Sequence, residues 1–178
     1  MLTGCELSGA ASLTRFQRML LGTDGTVTHI LEAYADEPVE VIKLLPAPDT
    51  PDALDVHLHL AQDDEVLRRR VVLRGLRSQQ ALLYAEAVVV LDRVDPAFLD
   101  ALVGTDKPIG ALLAEHRTET FREILVVQRE PAGLCGAHFG LGATVELFSR
   151  TYRIHVRQRP AILITEKFPT GSFRGLPA

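Results

Sequence analysis

Cysteine is scarce in this chain: Cys5 and Cys135 are the only two among 178 residues. A disulfide framework is therefore excluded, and a cytoplasmic protein with reduced thiols is expected. Long hydrophobic runs are also missing. None reaches the roughly 18 residues that a membrane-crossing helix needs, and no basic stretch followed by an apolar core marks a secretory signal. Positive charge is not in excess either. The formal net charge is −4, which gives no general attraction to nucleic acid or an anionic membrane, so any basic site must be local. What is present fits an ordinary globular chain, 47% hydrophobic and 24% charged, long enough for one sizeable core. A single domain over residues 1–178 is expected, with residues 1–11 disordered.

The pattern along the chain predicts an α+β fold: an antiparallel sheet of five or six strands with helices packed at its side. Ser12 can cap a helix from Leu13 to about Leu21, stopped by a turn at Gly22-Thr23-Asp24-Gly25. Thr26 to Tyr34 fits strand and helix equally, and Val39 to Leu44 reads as a strand. Pro46, Pro48 and Pro51 mark an exposed loop. Strands at Val66–Arg74 and Ala81–Leu91 are joined as a hairpin by Gly75 to Gln80. Asp95-Pro96 starts a helix through Leu102. Lys107-Pro108-Ile109-Gly110 bends into a further helix, Ala111 to His116. Strands follow at Thr120–Gln128, Val145–Val156 and Ile162–Phe168, the last two joined by a turn at Gln158-Arg159-Pro160.

Four groups of residues invite chemistry. Glu166 lies near the end of an apolar strand, where a lone carboxylate must find a partner or a raised pKa. Arg68, Arg69 and Arg70 enter another apolar strand; alternation puts Arg69 on the face of Val71 and the other two on the opposite one. A buried arginine needs an acidic partner or a ligand. Glu86 and Glu166 are the candidate partners, and a structural salt bridge competes with a binding pocket for both. His57 and His59, read on a strand, share a face but lack further ligands for a metal. The glycine-rich Gly133–Gly142 segment holds Cys135 and His138, which lack an orienting group for nucleophilic catalysis. A mobile cover over a pocket is the more natural use of those glycines.

Six segments in order carry a resemblance. They are Leu67-Arg68-Arg69-Arg70-Val71-Val72-Leu73, Ala85-Glu86-Ala87, Lys107-Pro108-Ile109-Gly110, Thr118-Glu119-Thr120-Phe121-Arg122-Glu123, Ser149-Arg150-Thr151-Tyr152-Arg153-Ile154 and Ile164-Thr165-Glu166-Lys167-Phe168. Over roughly Leu20 to Pro177 the chain resembles the chorismate lyases (4-hydroxybenzoate synthases), especially their actinobacterial-type branch. The resemblance implies a cofactor-independent enzyme, without metal, that converts the small molecule chorismate to 4-hydroxybenzoate and pyruvate. A monomer or homodimer is expected, and the charge and hydropathy of the chain point to neither nucleic acid nor membrane as partner. Arg69 falls where the family grips the ring carboxylate, Glu166 on its acidic residue at the hydroxyl end, and Ile109 where main chain holds the ring. Glu86 stands where the enterobacterial branch has a second arginine. Arg153, Arg150 or Arg122 would then supply the cation for the pyruvyl carboxylate. The same fold serves the effector domains of GntR-type regulators, and a helix starting near Leu13 leaves no room for a DNA-binding domain before it. A binding module of that kind, or a chorismate enzyme giving another hydroxybenzoate, is the alternative.

Overall fold

The computed structural model describes residues 13–23, 26–45 and 53–173. Four α-helices lie among them: α1 (Arg15–Gly22), α2 (Val27–Ala35), α3 (Pro96–Gly104) and α4 (Ile109–Glu115). Six strands form one antiparallel sheet: β1 (Val39–Lys43), β2 (Val66–Gly75), β3 (Ala81–Val90), β4 (Thr120–Pro131), β5 (Glu146–Val156) and β6 (Arg159–Pro169). Their order is β1-β2-β3-β6-β5-β4, so the last hairpin inserts between β3 and β4. Among the described residues no helix is long and apolar enough to cross a membrane. The expected disorder of residues 1–11, the cap at Ser12 and the proline loop at 46–52 fall outside the described residues.

Local chemistry explains most boundaries. Thr14 caps α1. Its hydroxyl accepts from the Gln17 amide at 3.2 Å, and the Gln17 side chain accepts from the Thr14 amide at 2.9 Å. This reciprocal box satisfies two donors that a helix start leaves open. The ambiguous Thr26–Tyr34 segment resolves as helix α2, which buries Val27 and Leu31. Asp95 accepts from the Ala97 amide at 2.8 Å and Pro96 opens α3. The β5–β6 turn lies at Arg157-Gln158, both left-handed with φ of 50° and 63°, as a tight hairpin demands. It therefore precedes the expected turn, and Pro160 sits within β6 at a register shift.

Period-two alternation divides the sheet into two faces. One face carries Arg69, Val71 and Leu73 of β2, Ala85 and Ala87 of β3, and Glu166 and Ile164 of β6. The helices cover it, packing two apolar clusters: Phe98, Leu112 and Ile162 at one end, and Leu20, Leu31 and Phe168 at the other. The reverse face packs Val72, Tyr84 and Leu147 under the short turn Gly133–Phe139, and Val88 and Leu163 against Leu58. A Cβ added to Gly75 would lie 2.3 Å from the Glu37 carboxylate and displace it; that carboxylate accepts the Ser78 amide at 3.0 Å and so fixes the β2–β3 turn.

Candidate functional site

Between the two apolar clusters of the helix-covered face lies a cavity of about 70 Å³, several times the ~10–15 Å³ that seats one water. Apolar side chains from β1, β2, β3 and β6 form its floor, with Pro108, Ile109 and Gly110 from the entry to α4 and Thr26, Val27 and Thr28 from the start of α2 as walls. Four ionisable side chains line it: Arg69, Arg122, Tyr152 and Glu166.

Glu166 is 5% exposed and owes its place to a partner on the adjacent strand. Arg150 stands directly opposite it in the β5–β6 register, and its Nε donates to Glu166 Oε2 at 2.7 Å. Tyr152, two residues on and therefore on the same face, donates its hydroxyl to Oε1 at 3.0 Å. Both carboxylate oxygens are thus engaged, which offsets the cost of burying the charge. Burial, followed by the Glu166 carboxylate beside it, pushes the Tyr152 phenol well above its ordinary value. Tyr152 therefore stays a hydrogen-bond donor over the ordinary pH range.

Arg69 occupies another part of the wall. Its Nη1 donates to the Lys107 carbonyl at 3.0 Å, linking β2 to the segment ahead of α4. Its Nε and Nη2 are buried and have no hydrogen-bond partner among the described residues. Burial lowers the pKa of this guanidinium, with the nearby Asp106 opposing the shift, but arginine keeps its charge at any physiological pH. Arg122 reaches the wall from β4, and a Cβ added to Gly110 would lie 3.5 Å from its Nη2 and from Thr26. Its charge acts on Tyr152 together with that of Arg150.

The structure brings Arg69, Ile109 and Glu166 to one cavity and places Glu86 and Arg153 elsewhere. Arg70, not Arg69, pairs with Glu86 in the β2–β3 register. Glu86 consequently points to the reverse face, where it accepts the Tyr84 hydroxyl and sits 3.6 Å from Arg70. Arg153 also points there: its Nε donates to Glu123 at 2.7 Å and its Nη1 to the His57 carbonyl at 3.0 Å. The Glu166 partner comes from neither the arginine triplet nor a contact with Arg69, but from Arg150. Sequence reasoning missed Arg150 in that role and Tyr152 altogether. The alternation Phe148, Arg150, Tyr152, Ile154 was the available signal, because it sets a cation and a phenol among core positions.

The other candidates take no part in the cavity. His57 closes the short turn Ala53–Leu58 and His59 follows it, so they do not share a strand face. Among the described residues no three His, Cys, Asp or Glu side chains gather as metal ligands would. Cys135 is buried, donates its thiol to the Ala132 carbonyl, and has its pKa raised chiefly by that burial. His138 stacks on Tyr84 with ring centres 5.5 Å apart.

Comparison with known proteins agrees in both sequence and shape. The family described as Chorismate pyruvate-lyase Rv2949c-like matches residues 20–174. A chorismate pyruvate-lyase of Mycobacterium tuberculosis (strain CDC 1551 / Oshkosh) is 30% identical over 183 residues, covering 99% of this chain and 92% of its own. The effector domain of PhnF from Mycobacterium smegmatis shares the fold with a TM-score of 0.63 at 15% identity, over 83% of this chain and 90% of that one. The Bacillus subtilis protein YydK, described as a possible transcriptional regulator, superposes with a TM-score of 0.60 at 12% identity over 83% of this chain, which spans 63% of its length.

Proposed function

The chain belongs to the Rv2949c-like chorismate pyruvate-lyase family, and from that premise we propose that it converts chorismate to 4-hydroxybenzoate and pyruvate in the cavity lined by Arg69 and Glu166. The observation that carries the proposal is the state of Arg69. One nitrogen is anchored to main chain, while Nε and Nη2, which share an edge of the guanidinium, are buried without a partner among the described residues. That edge offers two parallel N–H bonds at the spacing of carboxylate oxygens. Buried donors left unmade are costly, and a ring carboxylate would satisfy both.

Chorismate also carries an enolpyruvyl ether and, on the next ring carbon, a hydroxyl. In the reaction the ring carbon–ether oxygen bond breaks and its electron pair leaves with the enolpyruvyl oxygen. The hydroxyl-bearing carbon loses its proton, and the C–H electron pair completes the aromatic ring. The enolate takes up a proton at its methylene carbon and becomes pyruvate. Atoms and electrons balance with no outside oxidant or reductant, and aromatisation drives the step. Glu166 is assigned the proton transfer as general acid and base, with Tyr152 holding one of its oxygens. Arg122 is assigned the pyruvyl carboxylate. Of the three arginines considered for that task it alone lines the cavity.

Incubation of the purified protein with chorismate tests the proposal, which expects pyruvate and 4-hydroxybenzoate in equal amounts. Binding without turnover would instead favour a ligand-binding module like the effector domain whose fold it shares, and another aromatic product would reassign the reaction. Arg122→Gln should raise KM for chorismate while leaving the affinity for 4-hydroxybenzoate unchanged, because that product has no pyruvyl carboxylate.

A further inference from the structure

Arg150 is 2% exposed and is the largest of the fully buried side chains, yet it does not line the cavity. Its Nε holds Glu166 Oε2 at 2.7 Å. Its Nη1 donates to the Thr23 carbonyl at 2.6 Å and, at 3.4 Å, to that of Leu21. Those carbonyls close the end of α1, where exposed acceptors and the helix dipole both favour a cation. The guanidinium face lies 5.0 Å above the ring of Tyr152, the second side chain that holds Glu166. Three residues after Thr23 the chain becomes the cavity wall at Thr26, Val27 and Thr28. One planar cation therefore ties the carboxylate, the phenol beside it and the end of the helix that leads to the wall.

From this geometry we infer that Arg150 is a positioning residue for the lyase reaction: it fixes the Glu166 carboxylate against the substrate and keeps the α1–α2 wall in register with it. The inference rests on the role proposed for Glu166. A salt bridge serving stability alone gives no reason for this arrangement, since apolar side chains of similar volume commonly stabilise a core as well or better. Nor is the task one that lysine could take over. The contacts require donors on two edges of a rigid plane whose charge also lies over a ring, whereas an ammonium is a compact charge on a flexible stem. With the carboxylate already held by fixed donors, little rearrangement is left to the moment of reaction.

Steady-state pyruvate release by Arg150→Lys, Glu166→Gln and the double variant Arg150→Gln/Glu166→Gln provides the test. Arg150→Lys should lower kcat by about 100-fold, the cost of roughly 1 Å of misplacement, with a smaller change in KM. The double variant should match Glu166→Gln in kcat, because the group that Arg150 positions is already lost. Wild-type kcat in Arg150→Lys, or a further large loss in the double variant, would make Arg150 merely structural and overturn the inference. Undiminished kcat in Glu166→Gln would overturn the underlying role of Glu166, and the positioning role with it. If Arg150→Lys does not fold, the charge-neutral double variant measured against Glu166→Gln still decides.

Discussion

The sheet carries two Tyr–Glu–Arg groups, one on each face, that share composition and little else. On the helix-covered face Tyr152 and Arg150 hold Glu166, and the side chains of the ion pair are 2% and 7% exposed. On the reverse face Tyr84 donates to Glu86, with Arg70 at 3.6 Å and side-chain exposures of 25% and 32%. Glu86 stands opposite Thr165 in the β3–β6 register, one residue before Glu166, so a single step along a strand separates the two environments. Water can reach the Arg70–Glu86 pair of the second group, and ion pairs of that kind contribute little. In the first it cannot, and an oriented carboxylate is kept beside a cavity. Chemical identity is thus a poor guide to a site; parity along the strand and burial decide.

The sharpest way to break this contrast is to neutralise each carboxylate in turn. Glu166→Gln should reduce kcat for pyruvate release by about 10²–10⁴-fold, the usual contribution of a positioned acid or base, while Glu86→Gln should leave it near wild type. The adjacent arginines form the next pair. Arg69→Ala should lower kcat/KM by roughly 10–100-fold, as expected for charged hydrogen bonds worth about 1.5–3 kcal/mol; Arg70→Ala, pointing away, should have little effect on the same measurement. The tyrosines give the smallest effect. Tyr152→Phe should cost about 1–2 kcal/mol in urea unfolding by stripping a buried carboxylate oxygen of its donor, and Tyr84→Phe clearly less. Both phenols are held above their ordinary value, with burial the first cause in each. Their contribution to stability is therefore fully present below about pH 10 and lost as pH rises beyond it. Wild-type stability should fall above that pH, and Tyr152→Phe should flatten the fall more than Tyr84→Phe.

Much of the fold was legible because the strongest patterns are local. The β2–β3 hairpin and the Asp95-Pro96 helix start lie close to where alternation and capping put them, and Arg69 does share a face with Val71, opposite to Arg68 and Arg70. Other features needed information that a pattern does not contain. Val56-His57-Leu58-His59 alternates like a strand, but Ala53–Leu58 folds as a tight turn that drops Leu58 into the core. Pro160 looked like turn chemistry, although two ordinary residues, Arg157 and Gln158, adopt the left-handed turn instead. For the site, Glu166 and the Arg68–Arg70 triplet stood out from the strand pattern, while Ile109 and the roles of Arg69 and Glu166 came from a resemblance. Arg150 as the partner of Glu166 depends on the β5–β6 register, which a one-residue slip would have inverted.

The bond from Arg150 to Thr23 joins residues 127 apart, and Thr14 reaches the Phe173 carbonyl across 159. Helix α1 thus docks on segments made long after it, and β3 must wait for β6 to gain its second neighbour. Pairings so distant in sequence form slowly and leave apolar surface uncovered until the partner segment has been made. The Glu166 carboxylate meets Arg150 and the wall beside it only when β6 joins the sheet, so a chain made no further than β5 contains parts of the cavity without the cavity itself.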